Sequence, residues 1–125
     1  MLLVLYNKVN KRIVSSIYFM SSKLLEKIFR GDQDDRKKDP ASLDWEKISA
    51  RDTDRRKIVE KLLKDEAIKT GRDYYLAAMI FQHGPKINHS QKAVFLSQKS
   101  VGLNYKKARW LFAATTDRLL VKQGK

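Results

Sequence analysis

The sequence predicts an all-α protein, an antiparallel bundle of about five helices. Apolar residues recur three and four positions apart through most of the chain, which is the spacing of helices that bury one face. No segment alternates apolar and polar residues over the length of a strand, so we expect no sheet. Gly31, Pro40, Gly84, Gly102 and Gly124 divide the chain into pieces of helical length. With 125 residues, of which 42% are hydrophobic, the chain is long enough for one folded core.

Residues 1–20 are expected to be an N-terminal appendage to a single helical domain formed by residues 21–125. Two apolar runs flank a basic stretch, and neither run approaches the roughly 20 residues that a membrane span needs. The charges lie between the runs rather than ahead of them, which does not fit a signal peptide. Three interpretations remain: a peripheral amphipathic segment, an extra element of the core, or translation from an upstream start with Met20 as the original one. We favour the last.

The first helix of the domain is expected over Ser21–Arg30, where four apolar residues lie at helical spacing. Gly31 is expected to end it. The run that follows, residues 32–39, is almost entirely charged and precedes Pro40. Composition alone favours a solvated linker for this run.

Two helices are expected between Pro40 and the middle of the chain. The first is short and covers Ser42–Ala50. Asp52 or Thr53 is then a candidate N-cap for a second helix that reaches Glu66, because short polar side chains accept hydrogen bonds from the free amides of a first turn.

The most apolar segment runs from Asp73 to Gly84 and predicts a buried central helix. Asp73 is its candidate N-cap, and Gly84, in a left-handed conformation and followed by Pro85, is its expected end. Gln82 and His83 are the polar side chains at that end. The core is expected to include Tyr75, Ala78, Met79 and Leu111.

Two further helices complete the predicted bundle. Ser90 is the candidate N-cap of a helix that Gly102 ends. The last helix is expected to begin at Asn104 or Tyr105 and to stop at Gly124. The alanine pairs at 77–78 and 113–114 recur at the spacing of tetratricopeptide-type helix pairs, in which small residues let neighbouring helices approach closely.

The net charge of +13 is concentrated at the two ends of the chain. Residues 1–30 carry six bases and one acid, and residues 74–125 carry nine bases and one acid. Such a surplus favours anionic partners, nucleic acid or a membrane surface, although an ordinary lysine-rich soluble protein has the same composition.

Several classes of site are excluded by residue type. There is no cysteine, which rules out disulfides and cysteine-based metal sites or nucleophiles. His83 and His89 lie neither three nor four positions from a carboxylate, so we predict no metal site and no cofactor. His89, in a polar loop, is expected to be solvated. No Gly-rich phosphate loop or nucleophile elbow is present.

Short motifs follow one another in a recognisable order. They are Asp32-Gln33-x-Asp35-Arg36, Asp54-x-Arg56, the Asp73–Gly84 segment, Arg109-Trp110-Leu111, and Asp117-Arg118-x-Leu120 with Gly124 after it. This order resembles a family of small bacterial proteins of unknown function, in which Asp-Gln-x-x-Arg opens the domain, Gln-His-(Gly or Ala) ends a central helix and Asp-Arg closes it. The resemblance covers roughly residues 31–125. The family's terminal Pro-Gln and Gly-Thr-Gln motifs are absent here, and the resemblance implies no particular reaction.

A polar cluster is expected if the helix ends converge at one end of the bundle. Its candidates are Gln33, Asp35, Arg36, Gln82, His83, Asp117 and Arg118. A His beside an Asp and an Arg is an acid–base or phosphate-handling set. The same residues also make a buried network that caps helices and fixes their register, and we favour this structural role. We expect the charges to be ordered within the bundle and paired.

Three functions from different classes follow. The first is an interaction module that binds an unknown protein or small molecule in a groove between helices. The second is weak, salt-dependent nucleic-acid binding by the basic C-terminal half, with the candidates Lys92, Lys99, Lys106, Lys107 and Arg109. The third is a small enzyme that uses His83 with Asp and Arg partners. We expect a cytoplasmic protein in each case.

Overall fold

The computed structural model describes residues 2–125, with side chains from residue 10 onward. The elements in chain order are α1 (Leu2–Asp35), a 3-10 turn (Pro40–Ser42), α2 (Trp45–Lys64), α3 (Gly71–Phe81), α4 (Ile87–Gly102) and α5 (Ala108–Lys122). The described residues contain no strand, which confirms the predicted all-α bundle.

Helix α3 is the centre of the bundle. It contacts all four other helices, and its closest packing is against α4, which in turn packs against α5. Every residue from Leu76 to Phe81 is buried, as a helix without a polar face requires. Ala78, Met79 and Leu111 are in the core as predicted. Tyr75 is only half-buried, because its ring lies against the ring of Tyr105 at the edge of the bundle, 5.2 Å away.

The predicted N-cap of α3 was wrong by three residues. Thr70 is the cap, and its hydroxyl accepts from the amide of Asp73 at 3.0 Å. The buried Asp73 carboxylate instead accepts from the hydroxyl of Ser22 on α1, at 2.8 and 2.7 Å. The positive end of the α3 dipole stabilises a carboxylate at this position. Asp73 therefore ties two helices together.

Helix α1 passes both of its expected boundaries. It continues through Gly31, which is helical and where a Cβ would lie 3.2 Å from the guanidinium of Arg55 on α2. The charged run after it is not a solvated linker, since Asp32 is fully buried and Arg36 is half-buried. Opposite charges from α2 neutralise this last turn of α1, so it remains helical and packed.

Helix α2 is a single helix where the sequence predicted two. Its N-cap is Asp44, whose carboxylate accepts from the amide of Lys47 at 3.2 Å. Asp52 and Thr53, the expected caps, lie in the interior of the helix. Asp52 pairs with arginines, and the Thr53 hydroxyl donates to the carbonyl of Ser49 at 3.0 Å. Neither side chain therefore caps a helix, because each has a partner within or beside α2.

The starts of α4 and α5 differ from expectation, whereas Gly102 ends α4 as predicted. Ser90 is buried in the first turn of α4 rather than capping it, because the helix already begins at Ile87. Helix α5 begins at Ala108, later than predicted. The turn between them holds Asn104 at a φ of 64°. The predicted stop at Gly124 is confirmed by its φ of 75° just after α5.

Residues 10–20 continue α1 without a break, and their side chains are exposed except for the half-buried Tyr18. Their small contribution to the core stays a prediction. The two alanine pairs are not equivalent, since residues 77 and 78 are buried whereas residue 113 is exposed. The tetratricopeptide-like pairing thus also stays a prediction. None of the helices between residues 2 and 125 is both long and apolar enough to span a membrane.

Candidate functional site

A cleft of about 550 Å³ opens where four segments meet. These segments are the end of α1, the first half of α2, the loop between α3 and α4, and the second half of α5. The lining residues are Arg36, Trp45, Ile48, Ser49, Asp52, Arg56, Gln82, His83, Gly84, Pro85, Arg118 and Lys122. Four of them are arginine or lysine and only one is acidic.

A fully buried carboxylate, Asp32, lies beneath the cleft. One of its oxygens accepts from Nη1 of Arg36 at 2.9 Å. The other accepts from the amide of Gln33 at 2.9 Å and lies 3.2 Å from Nε2 of His83. Such a carboxylate is tolerable in the interior because partners surround both oxygens.

Arg36 continues the network from α1 to α2. Its guanidinium pairs with Asp32 and with Asp52, and Asp52 also accepts from Arg55 at 3.0 Å. Arg55 in turn reaches Asp35 at 2.7 Å. These contacts join the two helices through buried, alternating charges, so they position Arg36 on the cleft wall.

Asp35 lies on the far side of this network and does not line the cleft. Arg51 donates to its two oxygens at 2.9 and 3.1 Å. The hydrogen bond from Arg51 is the main reason that the pKa of Asp35 lies below its ordinary value, with Arg55 adding to the effect. Asp35 therefore acts as an ionised tie between α1 and α2.

His83 places an imidazole between the buried carboxylate and the open cleft. Its Nε2 faces Asp32, while Nδ1 has no hydrogen-bond partner among the described side chains. No buried side-chain nitrogen or oxygen in the described part of the chain lacks a partner, so Nδ1 contacts solvent. An ionised Asp32 favours the tautomer with the proton on Nε2, which leaves a lone pair on Nδ1.

Three cations at the cleft have no carboxylate partner within 4.0 Å among the described side chains: Arg56, Arg118 and Lys122. Neutral groups hold each of them. Arg56 donates to the Thr53 hydroxyl at 3.2 Å, and Arg118 donates to the carbonyl of Gln82 at 2.8 Å. Arg56 is only 7% exposed. Its other guanidinium nitrogens nevertheless contact solvent, because no buried side-chain nitrogen among the described residues lacks a hydrogen-bond partner.

Lys122 shows that this part of the cleft is partly buried and positive. Its ammonium donates to the Gly84 carbonyl and to the Ser90 hydroxyl, each at 2.7 Å. Burial lowers the pKa of Lys122, and the neighbouring Arg118 lowers it further. An anion bound here would stabilise the charged ammonium and so raise the pKa of Lys122 again.

Gly84 is required by a close approach rather than by a left-handed backbone. A Cβ there would lie 2.3 to 2.4 Å from the Cβ, Cγ and Nδ1 of His89. The expectation of a solvated His89 was wrong, because the residue is half-buried and accepts from the amide of Lys86 at 3.2 Å. Burial lowers the pKa of His89, with Arg56, Lys86 and Lys122 contributing.

We predict that Gly84→Ala lowers the free energy of unfolding by about 1–3 kcal/mol, because the added methyl group would overlap the Cβ and Cγ atoms of His89. Chemical denaturation measures the change. Gly102→Ala is the matched control, because its Cβ would meet nothing within 4 Å, and it should leave stability equal or slightly higher. Equal stability for the two variants would contradict the packing of His89 on Gly84.

Most of the polar candidates come together, and two do not. Arg36, Gln82, His83 and Arg118 line the cleft, and Gln33 supports it from below through Asp32. Asp35 belongs to the adjoining arginine network. Asp117 is exposed and makes no ion pair among the described residues, so the expectation that it lies within the bundle was wrong. Its side chain lies on the outer face of α5, where water solvates it.

Four charged residues in or beneath the cleft were not among the candidates: Asp32, Asp52, Arg56 and Lys122. Asp32 stands beside Gln33 in the first motif, and Lys122 lies one helical turn after Arg118 on the same face. Those signals were available in the sequence. Asp52 and Arg56 share one face of α2 by the same spacing, but their partners on α1 are distant in sequence.

The nucleic-acid candidates lie away from the cleft. Lys92 and Lys99 lie on α4, where their ammonium groups approach the rings of Phe81 and Phe95 at 5.6 and 5.5 Å. Lys106, Lys107 and Arg109 are exposed at the start of α5. Nucleic-acid binding by these residues stays a prediction.

The described residues contain no group of three or more potential metal ligands. The chain matches no family model, no curated protein and no solved structure. The resemblance to a family of small bacterial proteins consequently stays a prediction based on the motifs.

Proposed function

We propose that the protein binds a small phosphate-bearing ligand in this cleft. The observation that carries the proposal is the set of three cations without a carboxylate partner, Arg56, Arg118 and Lys122, around one opening. A nearly buried guanidinium is unfavourable unless an anion compensates it. The one carboxylate on the cleft wall, Asp52, is already paired with Arg36 and Arg55, so the natural counterion of Arg56 is a ligand.

The neighbouring charge network explains why the surplus falls on these three residues. Arg36 and Arg55 are already neutralised by Asp32, Asp52 and Asp35. Guanidinium groups recognise phosphate with paired donors, and an ammonium adds a compact charge. A phosphate group offers three terminal oxygens, one for each of the three cations, whereas a carboxylate has only two.

An aromatic wall narrows the ligand class further. Trp45 is 52% exposed in the cleft, and its indole nitrogen donates to the Pro40 carbonyl at 3.2 Å, which fixes the ring. Pro85 and Ile48 supply further apolar surface. An exposed, fixed indole beside cations favours a ligand with a planar group and a phosphate, such as a nucleotide.

Fluorescence in a Trp110→Phe background tests this proposal, since Trp45 is then the sole indole. Adenosine diphosphate should bind with micromolar affinity and quench Trp45, whereas pyrophosphate should compete for the same site without quenching by itself. No saturable binding of either compound would contradict the proposal. Quenching by adenosine diphosphate that pyrophosphate does not reverse would also contradict the proposal, because the cations would then have no role in binding.

A second candidate function is acid–base catalysis on a phosphate ester, favoured by the contact between Asp32 and His83. In this step a water oxygen attacks phosphorus, Nδ1 of His83 accepts a proton from the water, and the bond to the ester oxygen breaks with departure of the alcohol as its anion. The cleft cations would stabilise the charge that develops on phosphorus oxygens.

We predict that His83→Gln lowers hydrolysis of p-nitrophenyl phosphate by at least about a hundredfold, because general-base catalysis contributes about that much or more. Release of p-nitrophenolate measures the rate. Pyrophosphate affinity should remain, since His83 is not one of the three cations. Wild-type protein without turnover, or a variant as fast as wild type, would contradict the catalytic function and leave the binding proposal intact.

The protein partner and the cytoplasmic location expected from the sequence stay predictions.

A further inference from the structure

Helix α1 extends well beyond the bundle that it joins. Its 34 residues correspond to about 51 Å at 1.5 Å per residue. The contacts with the bundle come from its C-terminal half, where Leu25 and Asp32 are buried. From residue 10 to residue 20 every side chain except Tyr18 is exposed. A projecting helix of this kind gains little from tertiary packing.

Two stripes with the same spacing run along this helix. The inner stripe carries the residues that face the bundle, at alternating steps of four and three: Tyr18, Ser22, Leu25, Phe29, Asp32 and Arg36. The outer stripe, Ile13, Ile17, Met20 and Leu24, has the same alternation but is exposed throughout. Alternating steps of three and four mark a seam that faces a partner helix.

We propose that the outer stripe pairs with the same stripe of a second copy of this chain, as a short two-stranded coiled coil. In heptad terms Ile17 and Leu24 occupy a positions, and Ile13 and Met20 occupy d positions. Asn10 falls on the preceding a position, where a single asparagine fixes register and a two-stranded state at some cost in stability.

The charges of this segment also favour a second copy over an acidic partner. The bases Lys11 and Arg12 lie off the stripe, so two identical helices meet without placing like charges opposite each other. The seam itself has no charge between residues 10 and 24 for an acidic partner to recognise.

Light scattering of the full chain after size-exclusion chromatography tests the proposal in the micromolar range. Wild-type protein should be a dimer, and Ile17→Glu should weaken the dimer at least about tenfold because two buried carboxylates would meet at the seam. Phe19→Glu is the matched control. Its side chain is 64% exposed against 50% for Ile17, but it lies off the stripe, so the dimer should persist.

Two further results separate the alternatives. Asn10→Leu should strengthen association and admit larger oligomers, because the register-fixing polar pair is lost. Wild-type protein that is monomeric throughout, or equal weakening by the two Glu variants, would overturn the proposal. Binding of monomeric wild type to anionic phospholipid vesicles would assign the stripe to a membrane surface and overturn it as well.

Discussion

Replacement of Asp32 by alanine is expected to lower the free energy of unfolding by about 3–5 kcal/mol. Asp32 is fully buried and contacts three polar side chains: Arg36, Gln33 and His83. Removing it takes from Arg36 one of its two carboxylate partners and leaves the Gln33 side-chain amide and the His83 ring without their acceptor, and each lost contact carries a desolvation cost.

Denaturant unfolding of Asp32→Ala and Asp32→Asn measures this effect. The asparagine variant should lose less, because its carbonyl oxygen still accepts a hydrogen bond. Asp117→Ala is the control: its carboxylate is exposed and unpaired among the described residues, so a change under about 0.5 kcal/mol is expected. Asp32→Ala with a midpoint equal to that of Asp117→Ala would contradict the buried network.

The second large effect concerns binding rather than stability. Replacement of both Arg118 and Lys122 by glutamine is expected to weaken pyrophosphate binding at least about a hundredfold, since each charge-assisted hydrogen bond contributes about 1.5–3 kcal/mol. Stability should change little, because both side chains donate only to neutral acceptors and Arg118 is exposed. Calorimetric titration of the double variant measures the affinity.

A charge-matched control makes this result specific. The Lys106→Gln, Lys107→Gln double variant also removes two positive charges, but from an exposed site away from the cleft. This control should bind pyrophosphate nearly as wild type does at moderate salt, where exposed charges are screened. Equal losses in the two double variants would mean that net charge, and not the cleft, drives binding.

The sequence could predict the bundle and its central helix because those signals are local. The apolar run of α3 and the glycine after α5 depend on neighbours a few positions away. The boundaries at Gly31 and Asp52 could not be predicted in the same way. Each depends on an arginine or aspartate of another helix, since Arg36 meets Asp52 across 16 positions.

The candidate site could be predicted only in part, and the reason is the same. His83 and Arg118 stood out as polar residues on apolar helices. The partner that orients His83 is Asp32, 51 positions earlier in a run whose composition resembles a linker. A charge can be buried only when ion-pair or hydrogen-bond partners surround it, and here those partners come from distant parts of the sequence. No local sequence pattern predicts such contacts.

Amide chemical-shift mapping with pyrophosphate tests the anion-binding cleft most directly. Isotope-labelled wild-type protein should show saturable shifts confined to the loop at residues 82–84 and to the residues around Arg56, Arg118 and Lys122. The Arg118→Gln, Lys122→Gln double variant should show none at the same concentrations. Shifts centred on Lys106 and Lys107, or no saturable shifts at all, would contradict the assignment of the cleft as the binding site.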